Sequence, residues 1–337
     1  KAESRGLGDV YKRQNKESRA PSVQPLPTLG GILKFGVPKE LSHSDILKII
    51  DQFVNAAEVA KQTGFTGVQL HSAHGYLLSE FLSPNVNQRT DEWGGSIENR
   101  SKLLITTIEA IREKVGSNFP ISIKLNSSDF QKGGFSHEES IEVAKILNNT
   151  SLDLLEISGG TYENFTALEI DSLNLKKAKT IKPQRSTKVR EAYFLKYAEA
   201  IKEVISIPLA VTGGFRSTEG MNHALQSGAC DVIGLGRPLC SEPNIVNELI
   251  SGEKKSATLY ENMLEFGPWI LGLNSPISLM RSNNKAAQVY WCYRQILKIA
   301  DGNEVDTKLG LFKAFLDHFR DDSANSKKYK AFWKDLD

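Results

Sequence analysis

A repeated switch of hydrophobic period restricts this chain more than any other feature. Asp45–Gln62 places Ile46, Ile49, Ile50, Phe53, Ala57 and Ala60 on one helical face, with Ser44 or Ser42 as cap and Gly64 as stop. The short apolar run Gly67-Val68-Gln69-Leu70-His71 then reads as a buried strand. The same unit recurs: helix Ile97–Val115 before strand Ile121–Asn126, and helix Glu138–Asn148 before strand Leu154–Ser158. Helix Arg190–Ile205 precedes strand Leu209–Thr212, and helix Thr218–Ser227 precedes strand Val232–Leu235. Strands alternating with helices predict right-handed βαβ units and a parallel sheet.

Four strand ends finish in small or polar residues: His71-Ser72-Ala73-His74, Ser158-Gly159-Gly160, Thr212-Gly213-Gly214 and Gly236-Arg237-Pro238. In a (β/α)8 barrel the chemistry sits at the C-terminal ends of the strands, with phosphate commonly held after the last two. Gly213, Gly214, Gly236 and Arg237 suit that place. Glycines let backbone N–H groups approach a phosphate, and an arginine forks onto its oxygens. No strand leads into a G-x-G-x-x-G helix entry, so a barrel is preferred to a doubly wound sheet.

Flanking this core, residues 1–43 are rich in Pro and Gly and predict a loop or non-native segment. The barrel portion is placed at 44–250. Residues 251–337 hold helix-like stretches, Lys285–Ile299 and Leu309–Phe319, and predict a helical C-terminal extension. Lys+Arg of 42 against Asp+Glu of 40 is too balanced for a nucleic-acid or anionic-membrane footprint. The basic excess between Lys176 and Arg190 reads as a solvated loop. Cys230, Cys240 and Cys292, odd in number and far apart, point to reduced thiols in a reducing compartment such as the cytoplasm. No apolar run reaches the ~20 residues of a membrane span.

The richest segment is His71-Ser72-Ala73-His74-Gly75-Tyr76. Two imidazoles three residues apart can converge as neutral donors on a carbonyl oxygen. A nearby phenol, which stays protonated at neutral pH, can supply a proton. Two other readings stay open from spacing alone: a purely structural turn, or a zinc site using His71 and His74 with Glu80 as a loose third ligand.

His71 to Leu77, followed by Phe81-Leu82-Ser83-Pro84, Asn87, Arg89, Asp91 and Trp93 to Arg100, resembles the signature of the old yellow enzyme family. Lys124-Leu125-Asn126, Ser158-Gly159-Gly160, Thr212-Gly213-Gly214 and Gly234 to Pro238 extend the match in order, over about residues 20–250. The resemblance implies an FMN-dependent (β/α)8 barrel. It makes His71 and His74 the pair that grips the substrate's carbonyl or nitro oxygen, and Tyr76 the proton donor. Lys124 stands where a cation meets flavin N1 and the C2 oxygen, and Gly213, Gly214, Gly236 and Arg237 form the FMN phosphate site. Arg89 to Arg100 reads as a structural loop and helix entry capped by Ser96.

Two departures stand out. Ala20-Pro21-Ser22-Val23 resembles the loop after the family's third strand, and residues 1–14 match nothing in it. The expectation is therefore a barrel truncated at its N-terminus, with five strands of about eight. Cys240 stands alone where a related branch binds an iron–sulfur cluster, so no cluster and no metal is expected. The expected function is an FMN-dependent NAD(P)H oxidoreductase that reduces activated C=C bonds of unsaturated carbonyl or nitro compounds. Its partners would be a small-molecule substrate and NADH or NADPH, with no nucleic acid or membrane and homo-oligomerisation left open. The rivals are an inactive barrel fragment or scaffold, and another phosphate-ligand barrel enzyme such as an aldolase or isomerase.

Overall fold

A computed structural model describes residues 18–24, 36–159 and 194–334, and the chain divides into two compact units. The first comprises residues up to Phe215 together with Gly220–Gly234. It opens on a two-residue parallel pairing of β1 (Arg19–Ala20) with β2 (Lys39–Glu40), inside the segment expected to be loop. Then comes α1 (His43–Gln62), which Ser42 caps with a reciprocal bond from Asp45. The main sheet is five parallel strands in sequential order, β3 (Val68–Ser72), β4 (Ile121–Asn126), β5 (Leu154–Ser158), β6 (Leu209–Thr212) and β7 (Val232–Gly234). Each later strand follows a helix: α3 (Ile97–Val115), α4 (His137–Leu147), α5 (Leu195–Lys202) and α6 (Thr218–Gln226). A short helix, α2 (Leu77–Leu82), follows β3 directly.

The described residues thus hold the five consecutive parallel strands that the alternation predicts. No closed barrel forms among the described residues. Residues 160–193 lie outside them, and with them Gly160, the basic run Lys176–Arg190 and the predicted start of the helix before β6.

Strand alternation sorts the sheet into two faces. Leu70, Ile121, Ile123, Leu125, Leu155, Ile157, Leu209 and Val211 are buried. So are the apolar stripes of the helices, among them Ile46 and Ile49 of α1 and Leu104, Ile108 and Ile111 of α3. The residues between them point the other way: Gln69, His71, Lys124, Glu156 and Thr212, all less buried and all polar. That polar face carries the candidate site.

The loop between α2 and α3 is structural, as expected. Arg89 is almost wholly buried and donates Nη1 to the carbonyls of Pro21 (3.0 Å) and Leu41 (2.7 Å). Its Nε and Nη2 form a fork onto the two Asp91 oxygens at 3.0 and 2.5 Å. Asn87 donates to the carbonyls of Phe81 and Trp93, closing the same loop. Arg100 ties the start of α3 to Leu82 and to Glu139 of α4.

The second unit holds Arg216–Glu219 and everything from Leu235. It contains α7 (Arg237–Ser241), α8 (Ile245–Ser251), α9 (Ser278–Ala300) and α10 (Leu311–Lys334). Helix α9 begins seven residues before its sequence pattern, and α10 runs fifteen residues past its own. Their core is Leu264, Ala287, Trp291, Leu311 and Ala314, with the indole N–H of Trp291 donating to Leu309 O at 2.9 Å. Among the described residues no helix is long and apolar enough to cross a membrane.

Candidate active site

Strand β3 delivers His71 on the polar face, one step before the sheet ends. The chain then turns through His74 at φ 62° and Gly75 at φ 77°. A left-handed histidine costs conformational energy and persists only where its surroundings hold it. Here the Asn126 side-chain oxygen, at the end of β4, accepts the His74 backbone N–H at 3.2 Å. The Asn126 amide in turn donates to Asp129 at 2.9 Å, so its orientation is fixed. Tyr76 follows as the residue that opens α2, and Ser79 Oγ donates to its carbonyl at 2.8 Å.

The three side chains converge. The His71 ring lies 5.1 Å from that of His74, edge-on, and 4.8 Å from that of Tyr76. His74 Nε2 sits 2.7 Å from the hydroxyl of Ser158, the last residue of β5. When that hydroxyl donates to Nε2, the ring proton resides on Nδ1, which is then the donor left for a ligand.

Burial, reinforced by the Lys124 ammonium, holds His71 down at about 4. Burial, then His71 and Lys124, does the same for His74, and Glu156 opposes the shift in both. Both imidazoles are therefore neutral at pH 7, as donors to a developing oxyanion should be. The shift has a measurable consequence. Unfolding raises each histidine towards its ordinary value of 6.5, so the unfolded chain binds more protons between the two values. Their stabilisation is complete above about pH 6.5 and is lost as the pH falls towards 4. Urea melts at about pH 7 and about pH 4.5 should differ by about 2–4 kcal/mol for the pair. A His71→Gln/His74→Gln variant should lose that part of the slope; an unaltered slope would place the titrating groups elsewhere.

Lys124 lies across from His71 in the β3–β4 register and meets Glu156 of β5 at 2.8 Å. Glu156 also accepts from Thr212 Oγ1 at 2.5 Å and from Gln69 at 2.8 Å. Burial disfavours its charged form, but these three hydrogen bonds outweigh that and hold its carboxyl below the usual range. Sequence reading missed Asn126, Ser158, Glu156, Gln69 and Thr212. The two-residue strand period that puts Lys124 on the polar face would have put Gln69, Glu156, Ser158 and Asn126 there too.

Gly213 and Gly214 leave β6 with φ of 133° and 88°. A Cβ on Gly213 would also meet the Phe194 ring at 2.8 Å. These are positions only glycine fills easily. Gly236 and Arg237 belong to the second unit, where Gly236 opens α7 and Arg237 Nη1 stands 3.8 Å from Glu261. Among the described residues no group of three His, Cys, Asp or Glu side chains is arranged to hold a metal ion.

The donor set fits FMN. A planar ring bearing carbonyl and ring-nitrogen acceptors suits a half-buried ammonium beside neutral imidazoles and a phenol on one open polar face. Lys124 spends one N–H on Glu156, which leaves capacity for such an acceptor. The twin positive-φ glycines offer backbone N–H groups at the adjoining strand end.

The model of the NADH:flavin oxidoreductase / NADH oxidase family matches residues 11–256, which corrects, for residues 11–14, the expectation that residues 1–14 match nothing in the family. The chain is 39% identical over 253 residues to the NADH-dependent flavin oxidoreductase nadA of Aspergillus parasiticus, covering 73% of this chain and 54% of that protein. It is 36% identical over 262 residues to iliE of Neonectria sp. (strain DH2), another NADH-dependent flavin oxidoreductase, covering 75% and 32%. The chain thus spans about a third to a half of the length of these curated relatives. The solved old yellow enzyme homologue of Zymomonas mobilis superposes with a TM-score of 0.54 at 24% identity, over 77% of this chain and 68% of that one, which shows a shared barrel-type fold. Flavin, as FMN, and a reduced nicotinamide are the cofactors this likeness brings with it. The chain belongs to the NADH:flavin oxidoreductase / NADH oxidase family.

Proposed function

We propose that this chain is the catalytic portion of an FMN-dependent NAD(P)H oxidoreductase that reduces the C=C bond of unsaturated carbonyl or nitro compounds. The observation that carries the reading is the convergence of neutral His71 and His74 with Tyr76 beside Lys124. FMN, when bound, would supply hydride transfer from the nicotinamide to the β-carbon of the alkene. Lys124 would hold the pyrimidine edge of the flavin. Gly213 and Gly214 would present backbone N–H groups to its phosphate. His71 and His74 orient the substrate's oxygen and stabilise negative charge on it, and Tyr76 delivers a proton to the α-carbon. An aldolase reading fits less well, because Lys124 is engaged by the Glu156 carboxylate at 2.8 Å.

The open sheet favours one second reading, a stable but flavin-free scaffold. Titration with FMN separates the two. A phenol added to the flavin-loaded chain should produce a long-wavelength charge-transfer band, its oxygen lying between the two imidazoles. His71→Ala and His74→Ala should each abolish the band and weaken phenol binding at least tenfold, about 1.4 kcal/mol or more. A chain that takes up no FMN supports the scaffold. A band that survives both substitutions moves the ligand site elsewhere.

A further inference from the structure

Two cysteines that the proposed reaction does not use meet in the second unit. Cys240 lies near the end of α7, with its Sγ 3.9 Å from Gly236 O. Cys292 lies on α9, which packs against α7, and its thiol hydrogen-bonds to the Cys240 sulfur. Far apart in sequence, the two are adjacent in the fold. Arg237 stands three residues before Cys240, within reach on the same side of α7. With Glu261 and Gln288 it lines a small cleft into which Cys292 also faces. Neither thiol is sealed from solvent.

The chemistry of the two sulfurs is unequal. The hydrogen bond from Cys292, helped by the Arg237 charge and opposed by burial, holds Cys240 at about 7. The same hydrogen bond, together with burial, pushes Cys292 up. The shared hydrogen bond favours ionisation of Cys240 over Cys292, the sense of asymmetry that thiol–disulfide exchange uses. Cys230, in the first unit, is the contrast. It is buried, and burial followed by the Asp231 charge pushes it up to about 11.

We propose that Cys240 and Cys292 form a redox-active dithiol that exchanges with low-molecular-weight disulfides. The Cys240 thiolate attacks one sulfur of the reagent's S–S bond, forming a mixed disulfide and releasing one thiolate. Cys292 then gives up its proton and attacks the Cys240 sulfur, expelling the second thiolate. The protein loses two electrons and two protons overall, and the reagent becomes two thiols. The product ties α7, the helix that carries Arg237, covalently to α9.

Glutathione disulfide tests this on the chain as it stands. Peptide mapping by mass spectrometry should show one internal cross-link, Cys240 to Cys292, with Cys230 unmodified. Cys292→Ser should stall at a glutathione adduct on Cys240. Cys240→Ser should react roughly tenfold more slowly or worse, because a thiolate in quantity at neutral pH is lost. In the unsubstituted chain, which needs no altered fold, iodoacetamide should label Cys240 first, with a pH midpoint near 7. A persistent Cys240 adduct in the unsubstituted chain, a cross-link through Cys230, or equal labelling of all three thiols would each overturn the proposal.

Discussion

Tyr76→Phe is expected to leave flavin reduction by NAD(P)H almost unchanged while slowing alkene reduction by roughly 10²–10⁴, the usual size of a lost general acid. The substitution is clean for structural reasons. Phenylalanine keeps the ring that stands 4.8 Å from His71. Ser79 Oγ donates to the Tyr76 carbonyl at 2.8 Å, a bond at the start of α2 that the substitution keeps. His71 and His74 retain their positions and their neutral state. The phenol charge-transfer band should therefore survive, which separates this variant from the histidine variants. Stopped flow times the two half-reactions independently. Slowing confined to flavin reduction would show that the α-carbon proton comes from another group.

Arg89→Ala should destabilise the first unit by about 2–4 kcal/mol, the cost of leaving two buried carbonyls unpaired. The side chain is 5% exposed and serves two carbonyls and a carboxylate at once. Truncation would leave the Pro21 and Leu41 carbonyls without their donor and they carry most of the penalty, while Asp91 keeps the Trp93 N–H and solvent. Arg89→Lys should recover only part of it, because an ammonium cannot reproduce the planar fork. Chemical denaturation followed by circular dichroism reads both variants. A loss below about 1 kcal/mol would mean that solvent reaches this arginine, contrary to its burial.

Much of this molecule was legible before any coordinates. The five strands and the helices preceding them follow from period, and Ser42, Ser96 and Gly116 mark helix ends where their chemistry predicts. What escaped had weak local signal. Leu77–Leu82 is a six-residue segment interrupted by Ser79 and Glu80 and without a side-chain cap, too short to declare a helical period. The pairing of Arg19–Ala20 with Lys39–Glu40 joins segments too short to show a strand period. The meeting of Cys240 with Cys292 is a matter of helix packing, to which spacing along the chain is blind. At the candidate site, His71, His74 and Tyr76 stand out by residue type, and Lys124 through the family resemblance. Asn126, Ser158 and Glu156 are ordinary polar residues whose work depends on strand register.

Glu156, reached by Lys124, Thr212 and Gln69, touches all four strands from β3 to β6. This makes the carboxylate an alignment check during assembly. A one-residue slide of any of these strands would turn its polar member into the greasy layer beneath the helices and strand a polar or charged group there. Misaligned sheets are thereby penalised before any ligand arrives. Because His71, Ser158 and Gly213 are fixed steps along those same strands, correct alignment sets them at a common height. The levelling of the candidate site's rim is thus inherited from a single carboxylate on β5.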